Sequence, residues 1–254
     1  MAPGIDAFLF LSAFTRASKN TTVNDHSTLV LNHTSVTKDF DSLRFEAAAS
    51  QQLALGDIPQ DPQPETPLST FLISSPYNEK YHLLDLTTLD LPNRLFAKAL
   101  SALRPIRQDY ATAAYVESLN WSKVLGKLRE LCAAAGHEWI AHSFYVVIFR
   151  SKLKPVIDDT LLYELDFHSH GEATESGGLL KYWFGAPNEE RRNLATCLWR
   201  SKEDAREGGL GPWHKKARAA ARELYAEITF TSHRFTVGDG VKDWTFEDWV
   251  DKAE

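Results

Sequence analysis

The chain has 254 residues, 43% hydrophobic and 24% charged, which is ordinary globular composition and enough for one large domain or two small ones. Its formal net charge of -6 and pI near 5.9 argue against a nucleic-acid binder, which is usually basic. No apolar run reaches the ~18 residues of a membrane span, and Ala7–Phe14 is too short, with no basic residue before it, to read as a secretory signal.

Cys132 and Cys197 lie far apart, make no metal pattern and read as buried reduced thiols. Asn-x-Ser/Thr triplets start at Asn20, Asn32 and Asn120, but such triplets are common by chance. A cytoplasmic protein is the expectation.

Residues 1–76 are weakly patterned. Asn, Thr, Ser and Asp dominate Ser18–Asp41, and Pro59, Pro62, Pro64 and Pro67 mark an extended linker. Leu29–Leu31 is a candidate short strand and Phe45–Leu55 a candidate short helix. Residues 77–254 carry the expected domain.

Tyr81–Leu91 is spaced for a strand or an extended packing segment. Pro92 opens a helical pattern through Leu103, with Leu95, Phe96, Ala99, Leu100 and Leu103 on one stripe. Asn120 or Ser122 caps the next helix. Its stripe is Val124, Leu125, Leu128, Leu131 and Cys132, and Gly136 ends it.

A strand–helix–strand–strand–helix–strand series follows. Phe144–Phe149 is a continuously apolar, buried strand. Asp158 and Asp159 suit the start of a helix whose stripe is Leu161, Leu165, His168 and Glu172, and Gly177-Gly178 ends it. Leu179–Phe184 is the second strand, Gly185–Asn193 a hairpin loop, and Leu194–Trp199 the third strand. Ser201, Glu203 and Asp204 suit a helix start. Gly208–Gly211 breaks that helix and Pro212 begins another, with Trp213, Ala217, Ala220, Ala221 and Leu224 as its packing face. Ile228–Val237 is the final strand, and Trp244–Val250 reads as a terminal amphipathic piece.

This order predicts an α+β fold with a ferredoxin-like βαββαβ core. Both crossover helices should lie on one sheet face. The other face needs cover from the N-terminal segment, which would then complete a barrel-like pseudo-dimer, or from a second subunit in a homodimer.

Three stretches carry a resemblance to a known family. They are His168-Ser-His-Gly-Glu-Ala-Thr-Glu-Ser-Gly-Gly-Leu-Leu-Lys-Tyr-Trp-Phe-Gly185, Asn193-Leu-Ala-Thr-Cys-Leu-Trp-Arg-Ser-Lys-Glu-Asp-Ala-Arg206 and Gly211-Pro-Trp-His-Lys-Lys-Ala217. Over roughly Arg104–Trp249 the chain resembles an uncharacterised family of fungal proteins. The strand that ends in Trp199-Arg-Ser-Lys-Glu-Asp-Ala205 is similar to the dimeric α+β barrel superfamily, home of antibiotic-biosynthesis monooxygenases and several cofactor-free enzymes. The resemblance implies a fold and a pocket between sheet and helices. It carries no established catalytic residues over.

His168 and His170 diverge by about 200° on a helix, so they do not make a metal pair. Glu164, His168 and Glu172 share a stripe that could hold a divalent ion or serve as a plain ion-pairing surface; no metal is expected. His168, with Glu172 to orient it, is a candidate general acid or base and equally a satisfied core histidine. Tyr182 is a candidate hydrogen-bond donor to substrate. Tyr182 and Phe184 should face one side of their strand and Trp183 the other. Phe149, Phe184 and Trp199 read as core or as an apolar pocket wall. Trp213 and His214 follow Pro212 at a helix start, where free N–H groups could hold a carboxylate or phosphate.

No nucleophile elbow, phosphate loop or dinucleotide fingerprint is present, and no cofactor is expected. The expected function is a small-molecule enzyme of fungal specialised metabolism, enclosing an apolar terpenoid- or polyketide-like substrate for cyclisation, such as a [4+2] cycloaddition, or isomerisation. The alternatives are a cofactor-free monooxygenase and a non-catalytic binding or interaction protein.

Overall fold

The structure, a computed structural model, describes residues 70–77 and 79–250. The candidate elements at Leu29–Leu31 and Phe45–Leu55 lie outside these residues. Local signals set most boundaries. Helix α1 (Leu91–Ala99) starts where the Asp90 side chain accepts the Asn93 N–H at 3.1 Å, with Pro92 in its first turn. Helix α2 (Trp121–Ala135) ends at Gly136, whose φ of 59° is a left-handed cap. Helix α3 (Asp159–Ser176) is capped by Asp158, which accepts from Leu161 N–H. Helix α4 (Lys202–Gly208) is capped by Ser201, and α5 (Pro212–Leu224) begins on its proline.

Tyr81–Leu91 is not one strand. Strands β1 (Phe71–Leu72) and β2 (Leu84–Asp85) form a separate two-stranded ladder, and tight helical turns at Lys80–His82 and Leu86–Thr88 flank β2. The Asp85 carboxylate accepts from both the backbone and the hydroxyl of Thr87, which bends the chain there.

The main sheet comprises β3 (His142–Leu153), β4 (Leu179–Phe184), β5 (Arg192–Trp199), β6 (Tyr225–Val237) and β7 (Trp244–Asp248), antiparallel throughout in the order β4-β5-β3-β6-β7. The first four are arranged second, third, first, fourth, which is the ferredoxin-like order. Trp244–Asp248, expected as an amphipathic terminal piece, is a fifth strand paired to β6 from His233 to Val237. Strand β3 runs past Phe149 to Leu153 because β5 and β6 both continue to pair with it there.

Period-two alternation splits the sheet into two faces. Phe144, Val146, Ile148, Trp183, Leu194, Leu198 and Phe235 point to one face and join α1 and α2 in the main core. Phe96 of α1 stacks on Phe144 at 3.9 Å, and Trp121 of α2 lies 4.8 Å from Phe235. The N-terminal segment therefore does cover this face, but with helices. The described residues build no second βαββαβ half. Polar ties lock the layers: Tyr115 shares a 2.8 Å bond with Thr196, Trp139 Nε1–H donates to Val237 O, and the Arg150 guanidinium donates to carbonyls of Tyr110, Ala111 and Ala113. Leu72 and Ile73, assigned by sequence to the extension, are 1% and 2% exposed in this unit.

On the opposite face Tyr145, Val147, Tyr182, Cys197 and Trp199 meet α3 and α4 through Ala173 and Ala205. Helix α5 rests against α3. Three layers result, with the sheet in the middle.

Candidate functional site

The stripe Leu161, Leu165, His168 and Glu172 exists, but it meets α5 rather than the sheet. His168 stacks on Trp213 with ring centroids 4.1 Å apart, and the Lys216 ammonium sits 3.8 Å over the same indole. The sheet-side stripe of α3 is Asp166, Ser169, His170 and Ala173.

That stripe faces a polar centre. Tyr182 N–H donates to Ser74 O at 2.9 Å, which lays the Ser74–Tyr77 segment along the β4 edge. Tyr77, 1% exposed, and Tyr182 then donate their hydroxyls to the two carboxylate oxygens of Asp166, Tyr77 to Oδ2 and Tyr182 to Oδ1 at 2.5 Å. Burial raises the Asp166 pKa above the ordinary carboxylate range, and the two phenol bonds and nearby His214 only partly offset it. The Tyr182 phenol is pushed well above its usual value by burial and then by the Asp166 charge.

Beside the carboxylate lies an imidazole pair. His82, from the turn before β2, meets His170 with Nδ1 to Nδ1 at 2.7 Å, and both are buried. One ring must donate and the other accept, so the pair shares a single proton at this contact. Burial, then the charge of His82, holds the His170 pKa well below the usual imidazole value. His170 Nε2 has no hydrogen-bond partner among the described residues. Tyr77 stacks on His82 at 4.7 Å, and Phe167 stands edge-on to both rings.

A surface groove of about 500 Å³ lies outside this centre, lined by Lys80, Tyr81, Leu83, His168, Gly171, Glu172, Thr174, Glu175 and Trp213. Its floor is thin at Gly171: a Cβ there would stand 3.1 Å from the Tyr81 ring and 3.7 Å from His82 Cε1. Tyr81 packs over His82 with centroids 4.0 Å apart and is itself half exposed. Glu172 is already engaged. It accepts from Trp213 N–H at 2.7 Å, His214 N–H at 3.1 Å and His214 Nδ1 at 3.0 Å. Burial works to raise its pKa, but these bonds outweigh it and the carboxyl sits below its usual value. The α5 N-terminus, read from sequence as a place that could hold a ligand's carboxylate or phosphate or as an ordinary solvated first turn, holds the Glu172 carboxylate instead.

The sequence candidates thus fall in separate places. His168, Glu172 and Trp213 line the groove, with His214 behind Glu172. Tyr182 belongs to the Asp166 centre, and Phe184 lies 5.6 Å from it along β4. Trp199 is buried with Leu179 and Ala173. Phe149 sits beside Phe230 at 6.5 Å. Tyr77, His82 and Asp166 were not singled out as candidates, and His170 was weighed only as a metal partner of His168 and set aside. The spacing of Asp166, His170 and Ala173 by four and three residues was the available signal. Among the described residues no three His, Cys, Asp or Glu side chains are grouped to hold a metal, and no helix is long and apolar enough to cross a membrane.

The strand order and the two crossover connections define an α+β protein with a ferredoxin-like core. The chain belongs to the PB2B2.08-like family, whose model matches residues 73–248. It is 37% identical over 186 residues to the UPF0643 protein PB2B2.08 of Schizosaccharomyces pombe, covering 70% of this chain and 84% of that one. Solved structures similar to its core include SnoaB, a cofactor-independent oxygenase from Streptomyces nogalater (10% identity, TM-score 0.29, 35% of this chain and 90% of that one). A dimeric ferredoxin-like protein from Thermobifida fusca is another (13% identity, TM-score 0.29, 38% and 96%).

Proposed function

We propose that this chain is a small-molecule enzyme that works by proton transfer between side chains and substrate, with no cofactor in the chemical step. The observation that carries this reading is the buried set of Asp166 bridging two phenols beside the His82–His170 pair. Packing alone would be served by apolar residues, since ionisable groups out of water are costly. Clustered ionisable groups of shifted pKa are a mark of functional sites.

The substrate lies in the groove between Tyr81 and Trp213, its apolar part against these rings. His168 takes a proton from a carbon next to a carbonyl and returns it at another carbon. Such an isomerisation moves no net electrons. The residues suit it better than a [4+2] cyclisation, which asks mainly for an enclosing shape. The S. pombe relative supports a fungal setting; the substrate class proposed is a terpenoid- or polyketide-like ketone.

A second reading is a cofactor-free monooxygenase, favoured by His170, whose buried imidazole is held neutral and so able to accept a phenol proton. The substrate itself would supply the electrons, one oxygen atom entering it and the other leaving as water.

The test begins with native mass spectrometry of full-length protein from its own host, to identify any retained metabolite. That metabolite is then incubated with the protein in D2O, with oxygen uptake followed in parallel. Deuterium incorporation that His168→Ala abolishes supports the isomerase, and oxygen consumption supports the monooxygenase. Retention without either would leave a binding protein and overturn both.

A further inference from the structure

Strand β6 is paired on its inner side along its length, from His142↔Val237 to Leu153↔Tyr225. On its outer side β7 covers only His233–Val237, and Trp249 N–H closes on Ser232 O at 2.9 Å. The outer side of Ala226–Thr231 has no strand partner among the described residues. The Ser232–Trp249 bond fixes the phase. Ser232 points its backbone groups outward, so Phe230 and Ile228 do too, while Thr229 and Thr231 turn theirs to β3.

The same run leaves Phe230 73% and Ile228 45% exposed. Both lie on the sheet face of Phe149, which pairs with Phe230. Glu227–Thr231 contains no lysine and no proline, and the register irregularity of this ladder, which leaves Ala226 unpaired opposite Lys152/Leu153, comes just before it. Soluble proteins usually blunt such an edge with one of these devices or cover it.

We propose that this edge pairs with a second copy of the chain, β6 against β6 and antiparallel, about a two-fold axis at Thr229. The edge is complementary to itself. Only registers that set outward-pointing residues opposite each other keep the ladder hydrogen-bonded. Centring on Thr229 sets Ile228 against the partner's Phe230, and by symmetry Phe230 against the partner's Ile228, so both apolar pairs form on one face. Glu227 then faces the partner's Thr231, and no like charges oppose each other. Glu227 is already neutralised by Arg192 at 2.8 Å.

The length also fits. The run that pairs is Glu227–Thr231: Ala226 stands opposite the partner's Ser232, whose outer side Trp249 holds, so the incoming strand leaves the ladder at its own irregularity at Ala226. A contact of this symmetry closes on itself and yields a dimer, not a filament.

The register makes a sharp test possible in the full-length protein. Thr229 and the partner's Thr229 form a non-hydrogen-bonded pair, with Cα atoms ~4.5 Å apart, inside the ~4.4–6.8 Å range of a disulfide. Mild oxidation of Thr229→Cys should give a covalent dimer of twice 28.6 kDa. Thr231→Cys should not, because its Cα and the partner's would stand ~14 Å apart along the ladder. Native Cys132 and Cys197 lie off this edge, on α2 and β5.

Wild-type protein should be dimeric by native mass spectrometry, and Phe230→Lys should be monomeric with an unchanged far-UV spectrum. Three results would each overturn the proposal: a wild-type monomer at tens of micromolar, equal cross-linking at both positions, or a Phe230→Lys dimer. Protection of the Ile228 and Phe230 amides from hydrogen exchange in a monomer would assign the edge to the chain's own remaining residues instead.

Discussion

Asp166 can stay buried because each of its oxygens receives a phenol hydroxyl. Removing one donor leaves an acceptor without a partner, at a cost of about 1–3 kcal/mol. Tyr182→Phe should therefore lower the unfolding free energy at pH 7 by that amount, seen as a lower urea midpoint with an unchanged slope; an unaltered midpoint would show that the carboxylate does not rely on this bond. His170 sets a pH dependence. Its folded pKa is held well below 6.5, by burial first and His82 second. The unfolded chain therefore takes up a proton near 6.5 that the folded one refuses, and stability falls as pH drops through that value. His142 and His233 are lowered too, each chiefly by burial, and add to the same trend. Asp166 acts oppositely. Its pKa is raised above 3.8, so its contribution is present below that value and lost as pH rises through the folded pKa. Urea midpoints between pH 7 and pH 5 should decline in the wild type, and less steeply in His170→Gln. Parallel slopes would remove His170 as a cause.

At the scale of elements, α5 depends on α3 for its start. No side chain of its own caps it, and Glu172 accepts its first free N–H groups in place of a cap. Glu172→Ala should cost about 1–2 kcal/mol. Amide exchange should speed up at Trp213 and His214 while the middle of α3 keeps its protection; uniform acceleration would mean a global effect instead. The ends of α3, α4 and α5 were legible in sequence because Asp158, Gly177, Ser201 and Pro212 act within a turn of themselves. The direction each stripe faces was less so. Leu161, Leu165, His168 and Glu172 do share a face, but periodicity cannot say whether a helix or a sheet receives it. Asp166 was overlooked, and His170 set aside as a partner of His168, because Tyr77 and His82, which they meet, lie nearly ninety residues away, beyond the reach of helical periodicity. Strand β7 was missed for a similar reason: Trp244–Asp248 alternates too briefly to announce a strand, and only its alignment with β6 makes it one.

At the scale of the whole molecule, one core runs from Leu72 to Val241 and takes in both N-terminal helices and the inner sheet face. The ferredoxin-like unit alone would leave Phe144, Val146, Leu198 and Phe235 uncovered, so the helices before it are part of its folding and not an appended domain. Phe96 is the clearest link. It is fully buried and stacks on Phe144 at 3.9 Å and on Phe235 at 5.8 Å. Phe96→Ala should cost about 3–5 kcal/mol through lost contact and the cavity left behind. The loss should be felt by the sheet as much as by α1. Tryptophans report on both layers, since Trp121 sits on α2 and Trp183 on β4, while far-UV circular dichroism averages the whole chain. In wild type and variant alike the two signals should trace one coincident unfolding transition, shifted to lower denaturant in Phe96→Ala. If the fluorescence and circular dichroism midpoints separated in the wild type, the helical layer and the sheet would be distinct cooperative units. The cover over this face would then be a docked layer and not a shared core.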